Sequence, residues 1–282
     1  MPPRNLVLAT DLSCRSDRAL DRARALATEW NARLTIVHAF EAPPPVSELP
    51  SWRRPLDPRD LATRQIHEDL RDSSALAYDL VIERAEPARL VLDTATRVGA
   101  DLIVTGIPRD ETLRSAVVGT TVEAITRGAQ VPVLAARTRP RGPYRNVAVA
   151  TDFAEPSRQA LVTAVELFPD ARVRLFHAFQ VFYEGFITDK DAAREDIAVR
   201  AEADARAFLA ATELPSARRI EIQCEYGPPD EVLADLVLSG GVNLVVAGTR
   251  GAGRVSTLLL GSVAQALLTR LPGDVMVVPR TE

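Results

Sequence analysis

The chain repeats itself once, and that limits its architecture more than any single motif does. Leu6-Val7-Leu8-Ala9-Thr10-Asp11 recurs as Val147-Ala148-Val149-Ala150-Thr151-Asp152, an offset of 141 (152 − 11). Ser16, Ala19 and Leu20 fall on Ser157, Ala160 and Leu161, and Val91-Leu92 falls on Val232-Leu233. Val37-His38-Ala39-Phe40 matches Phe176-His177-Ala178-Phe179 two residues short of that offset, and Gly106 matches Gly248 one residue beyond it. A drift this small is what loop insertions leave between elements of a duplicated domain, and the period is far longer than the roughly 20–50 residues of a solenoid. Two units are therefore expected, residues 1–138 and 144–282. The charged, proline-bearing stretch Arg137–Pro143 between them suits a short exposed linker.

Each unit alternates short Val/Ile/Leu runs with helical periodicity. Strands are expected at 5–10, 34–39, 78–83, 102–105 and 131–136, and again at 146–151, 173–178, 220–224, 244–247 and 275–278. Helices are expected near 58–77 and 87–99, with counterparts near 189–212 and 228–240. Further helices follow Ser16 and Ser157, which suit N-caps. Continuous apolar strands between helices mean parallel strands covered on both faces. The fold class is α/β, with two tandem five-stranded, doubly wound, parallel-sheet domains. Such sheets bind ligands beyond the carboxyl ends of the strands, where strand order reverses. Strands 1 and 4 flanking that crevice would bring Asp152 to the residues after Val246-Ala247.

Those residues are Gly248-Thr249-Arg250-Gly251, then nine residues, then Gly261-Ser262. Glycines between a strand and a helix start let backbone N–H groups close on an anion, and the helix end adds partial positive charge. The first unit carries an eroded copy, Gly106-Ile107-Pro108-Arg109 followed by Gly119-Thr120. Pro108 removes a donor and Arg109 takes the place of the second glycine.

Composition closes off other classes. A net charge of −4 and 5% aromatic residues argue against nucleic acid as a partner. No apolar run approaches the roughly 18 residues of a membrane span, and no signal-peptide core follows Met1-Pro2-Pro3, so cytoplasmic localisation is expected. Cys14 and Cys224 are isolated and suit free thiols. Lys190 is the sole lysine, so a Walker-type phosphate loop is excluded, and the GxGxxG fingerprint is absent. Ser239-Gly240-Gly241 has the form of an ATP-pyrophosphatase start but follows a helix, where a glycine C-cap is expected. His38 and His177 sit in apolar runs as structural histidines, and His67 lies on a helix surface. Arg250 and Arg254 are read as solvated or ion-paired side chains.

The pattern Gly-x2-Gly-x9-Gly-Ser, with Ala150-Thr151-Asp152 closing strand 1, resembles the ATP-binding type of universal stress protein. The whole chain resembles the tandem form of that family. The resemblance implies an adenine-nucleotide α-hydrolase-like fold and ATP as ligand. Asp152 and the backbone of Ala178 would contact adenine, and Gly248 would lie near the ribose. The amides of Arg250 and Gly251, with Gly261, Ser262 and Val263, would hold phosphates that carry Mg²⁺, with no dedicated protein metal site. In the first unit Asp11, Ala39, Gly106, Gly119 and Thr120 remain but Arg109 departs from the pattern. Weak or absent nucleotide binding is expected there, or an anion held by the Arg109 guanidinium. The family's strand 5 commonly pairs across a dimer axis, so the two units are expected to pair with each other, a homodimer being left open. The function implied is a non-catalytic, nucleotide-dependent stress-response regulator. Two alternatives stand beside it: a slow ATPase or phosphotransferase with Ser256 or Thr257 as acceptor, and an interaction module with incidental nucleotide. The Pro43–Pro58 segment with Trp52 is a candidate lid or a plain surface loop.

Overall fold

The structure, a computed structural model, describes residues 3–14, 16–40, 57–71, 76–107, 120–180, 189–215, 219–249 and 260–280. The first half runs β1 (Asn5–Ala9), α1 (Asp17–Trp30), β2 (Arg33–Ala39), α2 (Pro58–Asp69), β3 (Tyr78–Glu83), α3 (Pro87–Val98), β4 (Leu102–Gly106), α4 (Thr120–Gly128) and β5 (Val133–Ala136). The second half repeats the order with β6 (Asn146–Ala150), α5 (Glu155–Leu167), β7 (Arg172–Phe179), α6 (Lys190–Ala210), β8 (Glu221–Tyr226), α7 (Pro229–Leu238), β9 (Leu244–Gly248), α8 (Ser262–Arg270) and β10 (Asp274–Val278).

Both sets of strands join one ten-stranded sheet, ordered β3-β2-β1-β4-β5-β10-β9-β6-β7-β8. Within each half every pairing is parallel, and strand order reverses beside β1 and β6, which puts a crevice at their carboxyl ends. At the seam β5 and β10 pair antiparallel, Val133 opposite Val277 and Ala135 opposite Val275.

Alternation along the strands divides the core. Leu6, Leu8, Val147 and Val149 point to one face, where α1, α2, α5 and α6 cover a single cluster that runs across the seam. Val7 and Ala9 point to the other face under α3 and α4, while Ala148 and Ala150 pack under α7 and α8. Rings bridge the seam on the continuous face: Trp30 lies 5.9 Å from Phe168, whose edge meets Tyr144 at 5.3 Å.

Three expectations change. The helix expected to reach residue 77 stops at Asp69. Leu70 is its C-cap, at φ −101° and ψ 8° outside the helical region, with its buried side chain packed on the core. Ser157 does not cap α5: Ala154 takes that position, and a proline in the first turn starts the helix earlier than expected. Ser16 does sit at the N-cap of α1, but its side chain makes no cap hydrogen bond. The joint between the halves is not exposed at its start. Arg137 is buried, its guanidinium donates to the Leu268 carbonyl, and its backbone N–H donates to Asp274 at 2.8 Å.

Candidate functional site

The site begins where β6 runs out. The Thr151 N–H donates to the Phe176 carbonyl at 2.9 Å, which carries the ladder one residue past the strand. The His177 Nδ1–H donates to the Thr151 carbonyl at 2.8 Å, and the Phe153 N–H donates to Thr151 Oγ1 at 2.9 Å. The chain then turns sharply, with Phe153 at φ +64°, a left-handed conformation that a bulky residue adopts only when its surroundings enforce it. The enforcement is visible: the Phe153 ring lies 4.3 Å from the His177 ring and 5.8 Å from Phe208. The turn holds the Asp152 carboxylate, whose Oδ1 accepts from the Ala154 N–H at 3.1 Å and from Ser157 Oγ at 2.6 Å. The serine expected to cap the helix thus holds the aspartate instead.

The first half builds the same turn. His38 Nδ1–H donates to the Thr10 carbonyl at 3.0 Å, Leu12 takes φ +57°, and Ser16 Oγ donates to Asp11 Oδ1 at 3.0 Å. Ser13 adds its N–H and its hydroxyl to the same oxygen. Burial pushes the Asp11 carboxyl up, but the hydrogen bonds from Ser13 and Ser16 outweigh it and leave the group below its ordinary range.

Gly248 ends β9 against the first turn of α5. A Cβ there would meet the Pro156 carbonyl oxygen at 2.7 Å and its carbon at 2.8 Å, so only glycine lets strand and helix touch. Beyond it the loop is closed at its neck: the Thr249 N–H donates to Val278 O at 2.9 Å, and the Gly261 N–H donates to Thr249 O at 2.7 Å. The Gly261 amide therefore serves the neck. The cavity-side start of α8 is left to Ser262 and Val263, both exposed.

Between these elements lies a cavity of 220 Å³ into which Ala150, Thr151, Asp152, Ala178, Gly248, Gly261, Ser262 and Val263 all converge. Sequence reasoning did not place Ser157, His177 or Pro229 there, although all three line it. The serine recurs at the duplication offset as Ser16 and the histidine two residues short of it as His38, which was the available signal. A matching cavity of 220 Å³ opens in the first half, lined by Asp11, Ala39 and Gly106 together with Ser16, Pro87 and Thr121. Thr120 begins α4 beside it. Arg109, Gly119, Arg250, Gly251, Arg254, Ser256, Thr257 and Trp52 lie outside the described residues.

The other sequence-derived residues have structural places. The C-cap of α7 is Ser239, and Gly240 follows it at φ +75° with its N–H donating to Val237 O at 3.0 Å, the left-handed turn that ends the helix. His67 is exposed on α2 against Tyr78. Cys224 sits half-buried in β8, where burial pushes its thiol up. Among the described residues no cluster of three His, Cys, Asp or Glu could hold a metal, and no helix is long and apolar enough to cross a membrane.

Comparison with known proteins places this geometry. The family model described as the universal stress protein family matches twice, over residues 3–137 and 143–279. A universal stress protein of Thermus aquaticus is 30% identical over 135 residues, 48% of this chain and 98% of that protein. A functionally unknown protein from Pseudomonas aeruginosa matches 98% of this chain and 92% of its own at a TM-score of 0.68 and 18% identity. A universal stress protein from Archaeoglobus fulgidus matches 98% of both chains at a TM-score of 0.62 and 18% identity. At that identity the two structures speak for the fold alone. The two family matches, one to each half of a duplicated sheet, carry the assignment: this chain belongs to the universal stress protein family and holds two of its domains in tandem.

Proposed function

We propose that the second half binds ATP and that the chain acts as a nucleotide-dependent regulator rather than a catalyst. The observation that carries this reading is the Asp152 carboxylate, held by Ser157 and the Ala154 N–H at the mouth of a cavity whose far wall is Gly248 and the start of α8. A carboxylate fixed in that way is an acceptor for an exocyclic amine, and a helix start opposite it suits phosphate. Asp152 and the Ala178 backbone would take the base, and Gly248 would lie at the ribose. Ser262 and Val263, with Arg250 and Gly251, would face the phosphates. Mg²⁺, which neutralises phosphate charge when bound, would sit on the phosphates themselves, since the described lining offers no cage of carboxylates.

Binding is favoured over turnover because, among the described residues, the two titratable side chains of the lining, Asp152 and His177, are both engaged in holding the turn. ATP would then act by binding one conformational or assembly state better than another. The antiparallel β5–β10 ladder uses the edge strand of each half, so the regulated unit would be the pseudo-twofold chain itself, in the cytoplasm, with any homodimer built on other surfaces.

Calorimetry of the full chain with Mg·ATP is expected to give one site per chain, weakened at least tenfold by Asp152→Ala. Absence of heat with the unaltered chain overturns the reading, and two equal sites overturn its assignment to the second half.

A further inference from the structure

The two sides of the seam are built alike but covered differently. β5 and β10 lie antiparallel in one sheet, and α1 and α5 cover the same face, so a pseudo-twofold axis normal to the sheet relates the halves. Along α1 the surface beside the seam is filled by the chain's own joint. Arg18 Nη1–H donates to the Arg137 carbonyl at 2.8 Å, and Arg22 Nη1–H donates to the Gly142 carbonyl at 3.1 Å. These bonds strap residues 137–144 onto the helix. Asp274 holds both ends of the strap, accepting from the Arg137 N–H at 2.8 Å and from the Tyr144 hydroxyl at 2.6 Å.

Along α5 every one of these contacts is missing. Gln159 and Thr163 stand where Arg18 and Arg22 stand, Pro279 where Arg137 stands, and Pro132 where Asp274 stands. The space they leave is an open groove of 320 Å³, with Gln159 and Thr163 on one wall and Pro132 and Pro279 on the other. Glu155, Arg158 and Glu166 also line it, and two carboxylates against one guanidinium leave it negative. Glu155 pairs with Arg158 at 3.0 Å, and Arg158 also donates to the Ala211 carbonyl and to Thr212. Glu166 is exposed and has no ion-pair partner among the described residues.

The strap has the opposite character. Arg139, Arg141, Gly142 and Pro143 are exposed, and neither arginine has a partner among the described residues. Two guanidinium groups on a run stiffened by Pro140 can meet a carboxylate with little ordering cost. Strap and groove lie on one face and are exchanged by the pseudo-twofold axis. A true twofold axis parallel to the sheet and crossing the first therefore sets the strap of each copy opposite the groove of the other.

We propose that this face joins two copies of the chain, the Arg139–Arg141 strap of each entering the α5 groove of the other with Glu166 as acceptor. Each groove is incomplete alone, because the partner copy supplies the guanidinium groups that the second half lacks. The contact is isologous and closes at two chains. It leaves the β5–β10 ladder intact and shares no lining residue with either 220 Å³ cavity.

Sedimentation velocity of the full chain, free of nucleotide and at low salt, tests this. A dimer is expected, and it should weaken as salt is added, because the contact joins exposed charges. Glu166→Arg alone, and Arg139→Glu together with Arg141→Glu, should each weaken the dimer at least tenfold, since repulsion replaces attraction at both contacts. All three side chains are exposed, and circular dichroism checks that each variant keeps the fold. The decisive sample is an equal mixture of the two variants. Each is monomeric alone, and together they should form a heterodimer, because every strap then faces a groove of opposite charge. A chain that stays monomeric at every concentration overturns the proposal and leaves the groove to residues beyond Pro279 or to another protein. A dimer indifferent to both variants, or a mixture that stays monomeric, overturns it as well.

Discussion

Asp274→Ala is expected to lower the unfolding free energy by about 3–5 kcal/mol. Asp274 opens β10 at the seam and is completely buried. One of its oxygens accepts from the Arg137 and Thr138 N–H groups at 2.8 and 2.9 Å and from Thr138 Oγ1 at 3.0 Å. The other accepts from the Tyr144 hydroxyl at 2.6 Å and pairs with Arg22 at 3.3 Å. Arg22 belongs to α1 of the first half, Tyr144 leads into the second, and the Arg22 guanidinium stacks on the Tyr144 ring at 4.1 Å. Burial and then the Asp274 charge push the Tyr144 hydroxyl well above its ordinary range, which keeps it a donor. Alanine would leave several buried donors and one guanidinium without their acceptor, and each such loss costs about 1–3 kcal/mol. Urea unfolding followed by circular dichroism should show the midpoint fall with an unchanged slope; a shift below about 1 kcal/mol would mean that the cluster does not hold the seam. The double change Arg22→Met, Asp274→Leu should recover part of the loss, because an apolar pair needs no acceptor.

That cluster was invisible in the sequence, and the reason is instructive. Pro272-Gly273-Asp274 reads as a turn, and the position one repeat earlier is Pro132, so the duplication offers no echo of the acid. The parallel strands were legible because unbroken Val/Ile/Leu runs between periodic helices have few other uses. β4 and β9 begin where the apolar runs begin, at Leu102 and Leu244, and each takes in the glycine that follows its run. The antiparallel seam depends on register between strands more than a hundred residues apart, which no local pattern encodes.

The site divides in the same way. Asp152, Gly248 and Ser262 were legible because glycine spacing and a strand-terminal acid are backbone requirements written in residue type. Ser157 was assigned to the wrong partner because its bond to Asp152 exists only through the left-handed turn at Phe153, and neither phenylalanine nor the equivalent Leu12 advertises such a turn. Gly248 was singled out for the ligand, whereas its first duty is to the protein: it lets β9 touch α5.

From this contact follows the second large effect. Gly248→Ala is expected to cost about 1–3 kcal/mol and to weaken Mg·ATP at least tenfold. The added methyl would lie 2.7 Å from the Pro156 carbonyl oxygen, a backbone atom that cannot swing aside, so the first turn of α5 must move away from the strand. Ser157 sits in that turn, and its 2.6 Å hydrogen bond sets the Asp152 carboxylate, so the displacement passes directly to the group proposed to take the base. Gly240→Ala separates this effect from simple backbone strain. Gly240 takes φ +75° with nothing within 4 Å of its added Cβ, so alanine there should cost about 1–2 kcal/mol of left-handed strain and leave affinity unchanged. Thermal unfolding and calorimetry on the two variants give the comparison. If Gly248→Ala binds Mg·ATP as tightly as the unaltered chain, α5 does not position Asp152, and the coupling between helix contact and ligand is refuted.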